Sequence, residues 1–585
     1  MKKKTNTGKT IARLLGFSKK YAALFAVTVI CAVVYVAASL ITPVFVGEAI
    51  DCAIEKGRVD FDGIFTLLVK IGIATAVAAV AQYVMNLVNN RIAFKTVCEM
   101  RKAAFAKLQK LPFSYLDSHP SGDIVSTVTS DAEQVGDGLL TGFTQLFTGV
   151  ATIVATLVIM FIESYIIALV VLLLTPLSMV VAKLVAGKTY KFFREQATVR
   201  GQQTAYADEM IKGQKTVRTF SRTEATQKDF DEVNGKLQKV SLKATFWSSL
   251  TNPTTRFVNN IVYAIVALVG ALTAIANPVG FTVGTLTCML SYANQYTKPF
   301  NEISGVITEL QGAAAAGERL FALMDAEPEP DDAGNAELCD VRGDVAFDAV
   351  CFSYTPERPL IENFSLRVKA GMKVAIVGPT GCGKTTLINL LMRFYDTKSG
   401  SISVDGQKTA EVTRHSLREN FGMVLQETWI MPGTIRENIA LGKPDATDEE
   451  IIAAAKDAHA HGFISRLPQG YDTVISGGES LSQGERQLLC IARVMLKDPP
   501  MLILDEATSS VDTRTEQRIS RCFDEMTKDR TSFVVAHRLS TIKNADLILV
   551  MKDGNVIESG NHEELLAKQG FYSKLYKSGI NTAAV

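Results

Sequence analysis

The sequence predicts a membrane protein with two parts: a bundle of six α-helical spans, then an α/β domain with a mostly parallel sheet. Three observations support this. Long charge-free runs fill the first half of the 585-residue chain, short β-type runs alternate with helical patterns in the second half, and a glycine-rich loop separates one such strand from its helix. Together they define a multidomain membrane protein, a six-helix α transmembrane domain followed by an α/β P-loop domain.

The six predicted spans are charge-free stretches near the length of about 20 apolar residues that crosses a bilayer. They cover residues 21–46, 71–90, 139–162, 165–182, 257–276 and 281–297. The first stretch is too long for the core of a signal peptide, so we interpret it as a retained span. The lipid bilayer is therefore the first partner that the sequence predicts.

Lysine and arginine predict the orientation of the spans. Seven precede Tyr21, six lie in residues 91–138 and fourteen in residues 183–256. These segments are therefore expected in the cytoplasm, and an even number of spans places the second half there too, at the cytoplasmic (cell) membrane. The net charge of +1 gives no reason to expect a nucleic-acid partner.

Helical patterns continue from the spans into the long connections, with a break expected near Gly213. Residues 327–337 are acidic, rich in proline and glycine, and not periodic. The predicted domains are a transmembrane domain at 1–325, a linker at 326–340 and a nucleotide-binding domain at 341–585.

The sequence GPTGCGKT at residues 378–385 fits a P-loop, because it follows the strand pattern MKVAIVG and precedes a helical pattern. Lys384 is expected to reach the outer phosphates of ATP, and Thr385 to supply a hydroxyl to Mg²⁺. The predicted phosphate-binding residues are Gly378, Pro379, Thr380, Gly381, Cys382, Gly383, Lys384, Thr385 and Thr386. ATP and Mg²⁺ are therefore the expected cofactors.

Two further strand patterns, MLILDE and TSFVVAHR, belong to the same predicted sheet. The first ends at Asp505, placed to hold Mg²⁺ through water, and Glu506 follows it. Phosphoryl transfer needs such positioning and charge stabilisation. Glu506 is therefore the candidate that orients or deprotonates the attacking water.

Taken in order, these motifs resemble the ATP-binding cassette (ABC) family, and the resemblance covers nearly the whole chain. It implies an adenine-stacking role for Tyr354, a metal- and water-contacting role for Gln426, and a γ-phosphate contact for His537. It further implies a D-loop ending at Asp512. The implied signature loop, which faces the ATP of a partner, is Leu481, Ser482, Gln483, Gly484 and Glu485.

The first half is similar to the exporter branch, which fuses six spans to one cassette. That branch implies ATP hydrolysis coupled to export, with a second half-transporter as partner. It also implies short transverse helices that couple the domains, expected near residues 126–135 and 208–215. The implied substrate is hydrophobic or amphipathic: a drug, a lipid or lipid-linked glycan, or a peptide. A non-transporting, ATP-gated membrane protein is the alternative from another class, whereas the spans argue against a soluble ATPase.

The signature departs from the usual Leu-Ser-Gly-Gly-Gln at Gln483 and Glu485. Glu485 has two interpretations: a capping box with Ser482 at a helix start, or a carboxylate that repels the phosphate. The chain thus combines an altered signature with an intact Glu506. This combination favours a heterodimer over a homodimer.

Cys382 stands inside the phosphate loop. The helix N-terminus and Lys384 are expected to lower its pKa. Alkylation of the thiol is then predicted to block ATP hydrolysis, and ATP to protect against it.

Overall fold

The computed structural model describes residues 7–54, 59–276, 281–355, 358–425, 428–475, 481–505, 513–535 and 542–577. The chain divides into two compact units. The first comprises Met1–Lys110 and Pro120–Ala326, and the second comprises Leu111–His119 and Glu327–Val585. A short piece of the first half of the sequence therefore folds with the second half.

The first unit is helical. Its helices are α1 (Thr7–Ser18), α2 (Ala22–Ile54), α3 (Phe61–Leu108), α5 (Ser121–Ser126), α6 (Ala132–Glu163), α7 (Tyr165–Lys212), α8 (Gln214–Thr219), α9 (Thr223–Ala276) and α10 (Val283–Asp325). By length and composition, Lys19–Ile54, Phe61–Leu108, Ser121–Glu163 and Thr223–Ala276 can each cross a membrane, and Tyr165–Pro176 is a shorter apolar stretch. The sixth predicted span lies largely within α10.

A buried polar chain joins three of these helices. The Thr28 hydroxyl on α2 donates to Asn89 Oδ1 on α3 at 2.8 Å, and Asn89 Nδ2 donates to Thr144 Oγ1 on α6 at 3.0 Å. Among apolar side chains, an unpaired amide is costly, so these bonds favour one relative register of the three helices.

The C-terminal end of α2 and the N-terminal end of α10 approach each other closely, and both have glycine at the point of contact. A Cβ added at Gly284 would lie 2.1 Å from the Gly47 carbonyl oxygen. Asp51 on α2 accepts from the Thr282 hydroxyl at 2.6 Å and from the Gly284 N–H at 2.8 Å. Its carboxylate thus satisfies donors at the start of α10 and favours that helix through its dipole.

The long helices α7 and α9 are paired by side-chain amides. Gln196 donates to Ser241 at 2.9 Å, and Gln203 donates to Asn234 at 2.9 Å. The break expected near Gly213 is confirmed, because α7 ends at Lys212 and α8 begins at Gln214. α8 overlaps the second segment expected to form a short transverse helix.

The prediction of a short transverse helix near residues 126–135 was wrong. Residues 127–131 form a wide π turn between α5 and α6 in the first unit. The short helix that folds with the second unit is instead α4 (Phe113–Ser118). Prolines explain its limits: Pro112 precedes its first residue, and Pro120 keeps His119 in extended backbone.

The second unit contains two main sheets. Its strands are β1 (Val345–Phe352), β2 (Ile361–Val368), β3 (Lys373–Val377), β4 (Ser399–Val404), β5 (Gln407–Lys408), β6 (Phe421–Val424), β7 (Gly433–Thr434), β8 (Val474–Ile475), β9 (Met501–Asp505), β10 (Thr531–Val535), β11 (Leu547–Lys552) and β12 (Asn555–Gly560). The six-stranded sheet has the order β12-β11-β3-β10-β9-β6, and the four-stranded sheet β2-β1-β4-β5.

The larger sheet is parallel apart from β12, which pairs antiparallel with β11. All five residues of β3 are buried, as expected for a central parallel strand. The strands predicted from MKVAIVG, MLILDE and TSFVVAHR are confirmed as β3, β9 and β10.

The helices of the second unit flank these sheets. They are α4, α11 (Lys384–Leu391), α12 (Arg414–Glu419), α13 (Ile435–Ala440), α14 (Asp448–Asp457), α15 (His461–Ile464), α16 (Gln483–Lys497), α17 (Thr513–Met526), α18 (His562–Ala567) and α19 (Phe571–Lys577). An apolar core that includes Phe347, Leu387 and Phe533 contains residues of both sheets and of α11.

The acidic segment predicted as a linker is anchored to the second unit. Arg414, which is 6% exposed, donates to the Pro330 carbonyl at 3.0 Å. It also forms ion pairs with Glu329 at 3.1 Å and Asp332 at 3.4 Å. Leu338 is buried in the core. Residues 327–340 are therefore held by one buried guanidinium and an apolar contact.

Replacement of Arg414 by alanine should destabilise the second unit, because Glu329 and Asp332 lose their buried cation. Removal of one partner of a buried ion pair costs about 3 kcal/mol or more. For a unit of this size, that lowers Tm by about 6 to 12 °C. Differential scanning calorimetry of the full-length chain measures the change.

The matched control is Lys408→Ala, which removes an exposed pair with Glu411. Exposed pairs contribute about 0 to 1 kcal/mol. Equal shifts in Tm for the two variants would contradict the anchoring role of Arg414.

Candidate functional site

The phosphate loop lies between β3 and α11, as its sequence predicts. Gly383 has φ of 101° at the N-cap of α11, a conformation that favours glycine. Gly378 approaches β11 so closely that an added Cβ would lie 2.3 Å from the Met551 carbonyl oxygen. The loop therefore requires glycine at both ends, and its backbone leads into the positive end of α11.

Lys384 is held against this loop. Its side chain is buried, and Nζ donates to the Gly378 carbonyl at 2.8 Å and the Pro379 carbonyl at 3.0 Å. The ammonium thus lies beside the loop backbone that is expected to surround phosphate, and it provides the positive charge for this role.

The pKa of the Cys382 thiol is raised, whereas the sequence predicted a lowered pKa. The residue is 4% exposed, and burial raises the pKa of the thiol, although the nearby Lys384 acts in the opposite direction. The lowered pKa that the sequence suggested was therefore wrong, because loss of solvation exceeds the attraction of the ammonium.

Tyr354 presents an aromatic surface on the loop that follows β1. Its ring makes edge-to-face contacts with Phe352, at 5.0 Å between centroids, and with Tyr395, at 5.1 Å. Its hydroxyl lies 3.1 Å from the Thr386 hydroxyl on α11. With 49% of its surface exposed, Tyr354 has room to stack a planar ring. Sequence reasoning missed Tyr395, although two consecutive aromatic residues after the P-loop helix were a signal.

Asp505 lies at the same sheet edge as the phosphate loop. It pairs in register with Val535 on β10, and Val535 pairs with Ile376 on β3. Strands are about 4.8 Å apart, so the backbone of Asp505 is about 10 Å from that of Ile376. The predicted residues Glu506, His537, Gln426 and Asp512 lie outside the described residues.

The loop LSQGE forms the start of α16. Leu481 and Gly484 are buried, Ser482 is the N-cap, and Gln483 is the first helical residue. The Ser482 N–H and hydroxyl both donate to Glu485 Oε2, at 2.9 and 2.8 Å, and the Glu485 N–H donates to Ser482 Oγ at 3.3 Å. The capping box predicted for Ser482 and Glu485 is confirmed.

The fold and this site define a class of protein. A helical membrane unit precedes an α/β unit in which a P-loop and a strand-end carboxylate share one sheet edge, and an exposed aromatic ring contacts the helix that follows the P-loop. This is the arrangement of a nucleotide-binding membrane protein.

Comparison with known proteins identifies the family. Residues 25–300 match the family model of the ABC transporter transmembrane region, and residues 361–509 match that of the ABC transporter. A fatty acid ABC transporter ATP-binding/permease protein of Mycobacterium bovis is 42% identical over 88% of this chain and 81% of its own length. A Bacillus subtilis protein, provisionally named a multidrug export ATP-binding/permease protein, is 35% identical over 96% of this chain and 98% of its own length.

A solved structure of a bacterial Atm1-family ABC exporter with ATP bound matches 96% of this chain, and the match covers 99% of the exporter's own chain. It has a TM-score of 0.77 and 29% identity. The chain belongs to the ABC transporter family. It is an ABC exporter, embedded in the membrane by several spans, that binds ATP and couples its hydrolysis to transport.

The Cys382 thiol should react slowly with N-ethylmaleimide at pH 7, because the thiolate is the nucleophile and a raised pKa reduces its fraction. The reaction rate should keep rising above pH 9. Mass spectrometry of the full-length chain between pH 7 and 10 measures this rate. The exposed Cys339 serves as the internal reference. Equal rates for the two thiols at pH 7 would show that Cys382 is neither shielded nor raised in pKa.

Proposed function

We propose that this chain is one half of a heterodimeric exporter that uses ATP and Mg²⁺ to move a hydrophobic or amphipathic substrate across the cytoplasmic membrane. The altered signature carries the heterodimer proposal: Glu485 adds a negative charge there and Gln483 replaces the usual glycine, while Glu506 is intact. A second half-transporter supplies the regular signature that faces the P-loop of this chain.

Glu485 competes with phosphate for the donors of the signature loop. A partner's phosphate at the N-terminus of α16 needs the Ser482 N–H and hydroxyl, and both donate to the Glu485 carboxylate instead. At about 6 Å and an effective dielectric near 20, repulsion between that carboxylate and one phosphate charge costs about 3 kcal/mol. The ATP site that this loop completes on the partner is therefore the weaker one.

The residues present fit Mg²⁺. Magnesium prefers oxygen ligands and is bound through one or two carboxylates together with substrate phosphates. Thr385 offers a hydroxyl in the first turn of α11, and Asp505 offers a carboxylate at the same sheet edge. Bound Mg²⁺ would neutralise charge on the phosphates. In this proposal Glu506 would orient the attacking water, Gln426 would contact the metal, and His537 would contact the γ-phosphate.

Polar side chains within the spans support a pathway or a second subunit. Gln82, Asn86, Asn260 and Asn294 are all exposed on the single chain. An amide facing lipid is costly, so these groups face a partner subunit or the substrate. The names of the relatives in Mycobacterium bovis and Bacillus subtilis refer to fatty acids and to multidrug export, and both fit an amphipathic or hydrophobic substrate.

The purified chain alone, in lipid nanodiscs, should bind ATP but show little Glu506-dependent hydrolysis, with Glu506→Gln as the control. A double variant, Gln483→Gly with Glu485→Gln, restores the regular signature. It should raise turnover of the chain alone by about tenfold or more, since half of the repulsion is enough for a factor of ten. A phosphate-release assay measures both.

Substantial Glu506-dependent turnover of the unmodified chain would overturn the heterodimer and support the alternative, a homodimeric lipid or lipid-linked glycan flippase. Substrate flux in the Glu506→Gln variant of the complete transporter tests the other alternative. A pump loses flux with this change, whereas an ATP-gated membrane protein keeps it.

A further inference from the structure

An aromatic cluster borders the candidate adenine site. Phe352, Tyr354 and Tyr395 contact one another edge to face, with centroids 5.0 to 5.6 Å apart. The hydroxyl of Tyr354 is fixed separately by Thr386. Tyr354 is thus held at its edge and its hydroxyl, so a shift of Tyr395 changes the orientation of the stacking surface.

Tyr395 also contacts α4. Its hydroxyl donates to Asp117 Oδ2, the carboxylate of the next-to-last residue of that short helix. Burial and then this hydrogen bond raise the pKa of Tyr395, so the phenol remains a protonated donor at physiological pH. Beside it, the ring of Phe394 lies 5.3 Å from that of Phe113, the first residue of α4. One residue binds α4 by packing and the next by a charge-assisted bond.

The end of α11 fixes the direction of these two rings. The Phe394 N–H donates to the Asn389 carbonyl at 2.9 Å, and the Arg393 N–H donates to the Leu390 carbonyl at 3.1 Å, which is a Schellman ending. Arg393 takes φ of 51° there, and its side chain donates to the Thr409 carbonyl at 2.8 Å. α11 therefore carries the phosphate loop at its start and the contacts with α4 at its end.

We infer that Tyr395 is a positioning residue that links the adenine-stacking Tyr354 to α4 through Asp117. This inference rests on the proposed ATP site and names a residue that transmits its occupancy. Adenine stacked on Tyr354 holds Tyr395, and Tyr395 holds α4. In the chain, α4 is followed by α5 and preceded by α3, both of which belong to the first unit.

The linkage is reciprocal. If bound adenine stabilises the contact with α4, that contact must strengthen the binding of adenine by the same factor. A triphosphate without adenine has no ring to stack on Tyr354, so it should lack the effect. This difference separates a linkage through Tyr395 from a general tightening of the phosphate loop.

The test uses the full-length chain in nanodiscs and the variant Tyr395→Phe, which keeps the ring and removes the bond to Asp117. ATP affinity should weaken by about twofold to thirtyfold, the range of coupling that single residues carry. The affinity for inorganic tripolyphosphate should not change. In hydrogen–deuterium exchange, ATP should protect α4 in the wild type but not in the variant, and tripolyphosphate should protect it in neither.

The matched control is Tyr572→Phe, which removes a hydroxyl bonded to His562 in a separate core cluster. It should leave ATP affinity and the protection of α4 unchanged, and Asp117→Asn should weaken both. ATP-dependent protection that persists in Tyr395→Phe, or equal losses of ATP and tripolyphosphate affinity, would overturn the linkage alone. Absence of ATP binding by the wild-type chain would overturn the proposed function together with it.

Discussion

The parallel pairing of β3 with β10 on one side and β11 on the other is the constraint on which the nucleotide site depends. It buries β3 completely and aligns the ends of β3, β9 and β10 at one edge. The phosphate loop and Asp505 meet there only because parallel strands share their carboxyl edge. A strand shifted by one residue would move its end by about 3.3 Å along the sheet and turn each side chain to the opposite face, which would separate these groups.

α11 transmits that constraint. The helix is eight residues long, so its two ends are only about 12 Å apart, and a shift at one end displaces the other. Its start is fixed by the glycine loop and by the carbonyl contacts of Lys384, and its end by the Schellman turn at Arg393. A short rigid element with distinct contacts at both ends is well suited to relate nucleotide contacts to α4.

The membrane unit relies on a different kind of interaction. Burial of apolar surface does little to select among arrangements of helices in lipid, because lipid and side chains are equally apolar. Polar contacts provide the selection instead. The Thr28–Asn89–Thr144 chain joins three helices, and Asp51 ties α2 to the start of α10. These contacts fix the relative positions of the helices that they join.

Local patterns in the sequence by themselves determined the helical membrane half, the strands β3, β9 and β10, the phosphate loop, the break at Gly213 and the capping of Ser482 by Glu485. Each of these depends on residues a few positions apart. The tertiary structure alone decided the anchoring of residues 327–340 by Arg414, the raised pKa of Cys382 and the place of α4. The bond from Tyr395 to Asp117 joins residues 278 positions apart. Burial and long-range pairing are set by how the elements pack, and no local spacing records them.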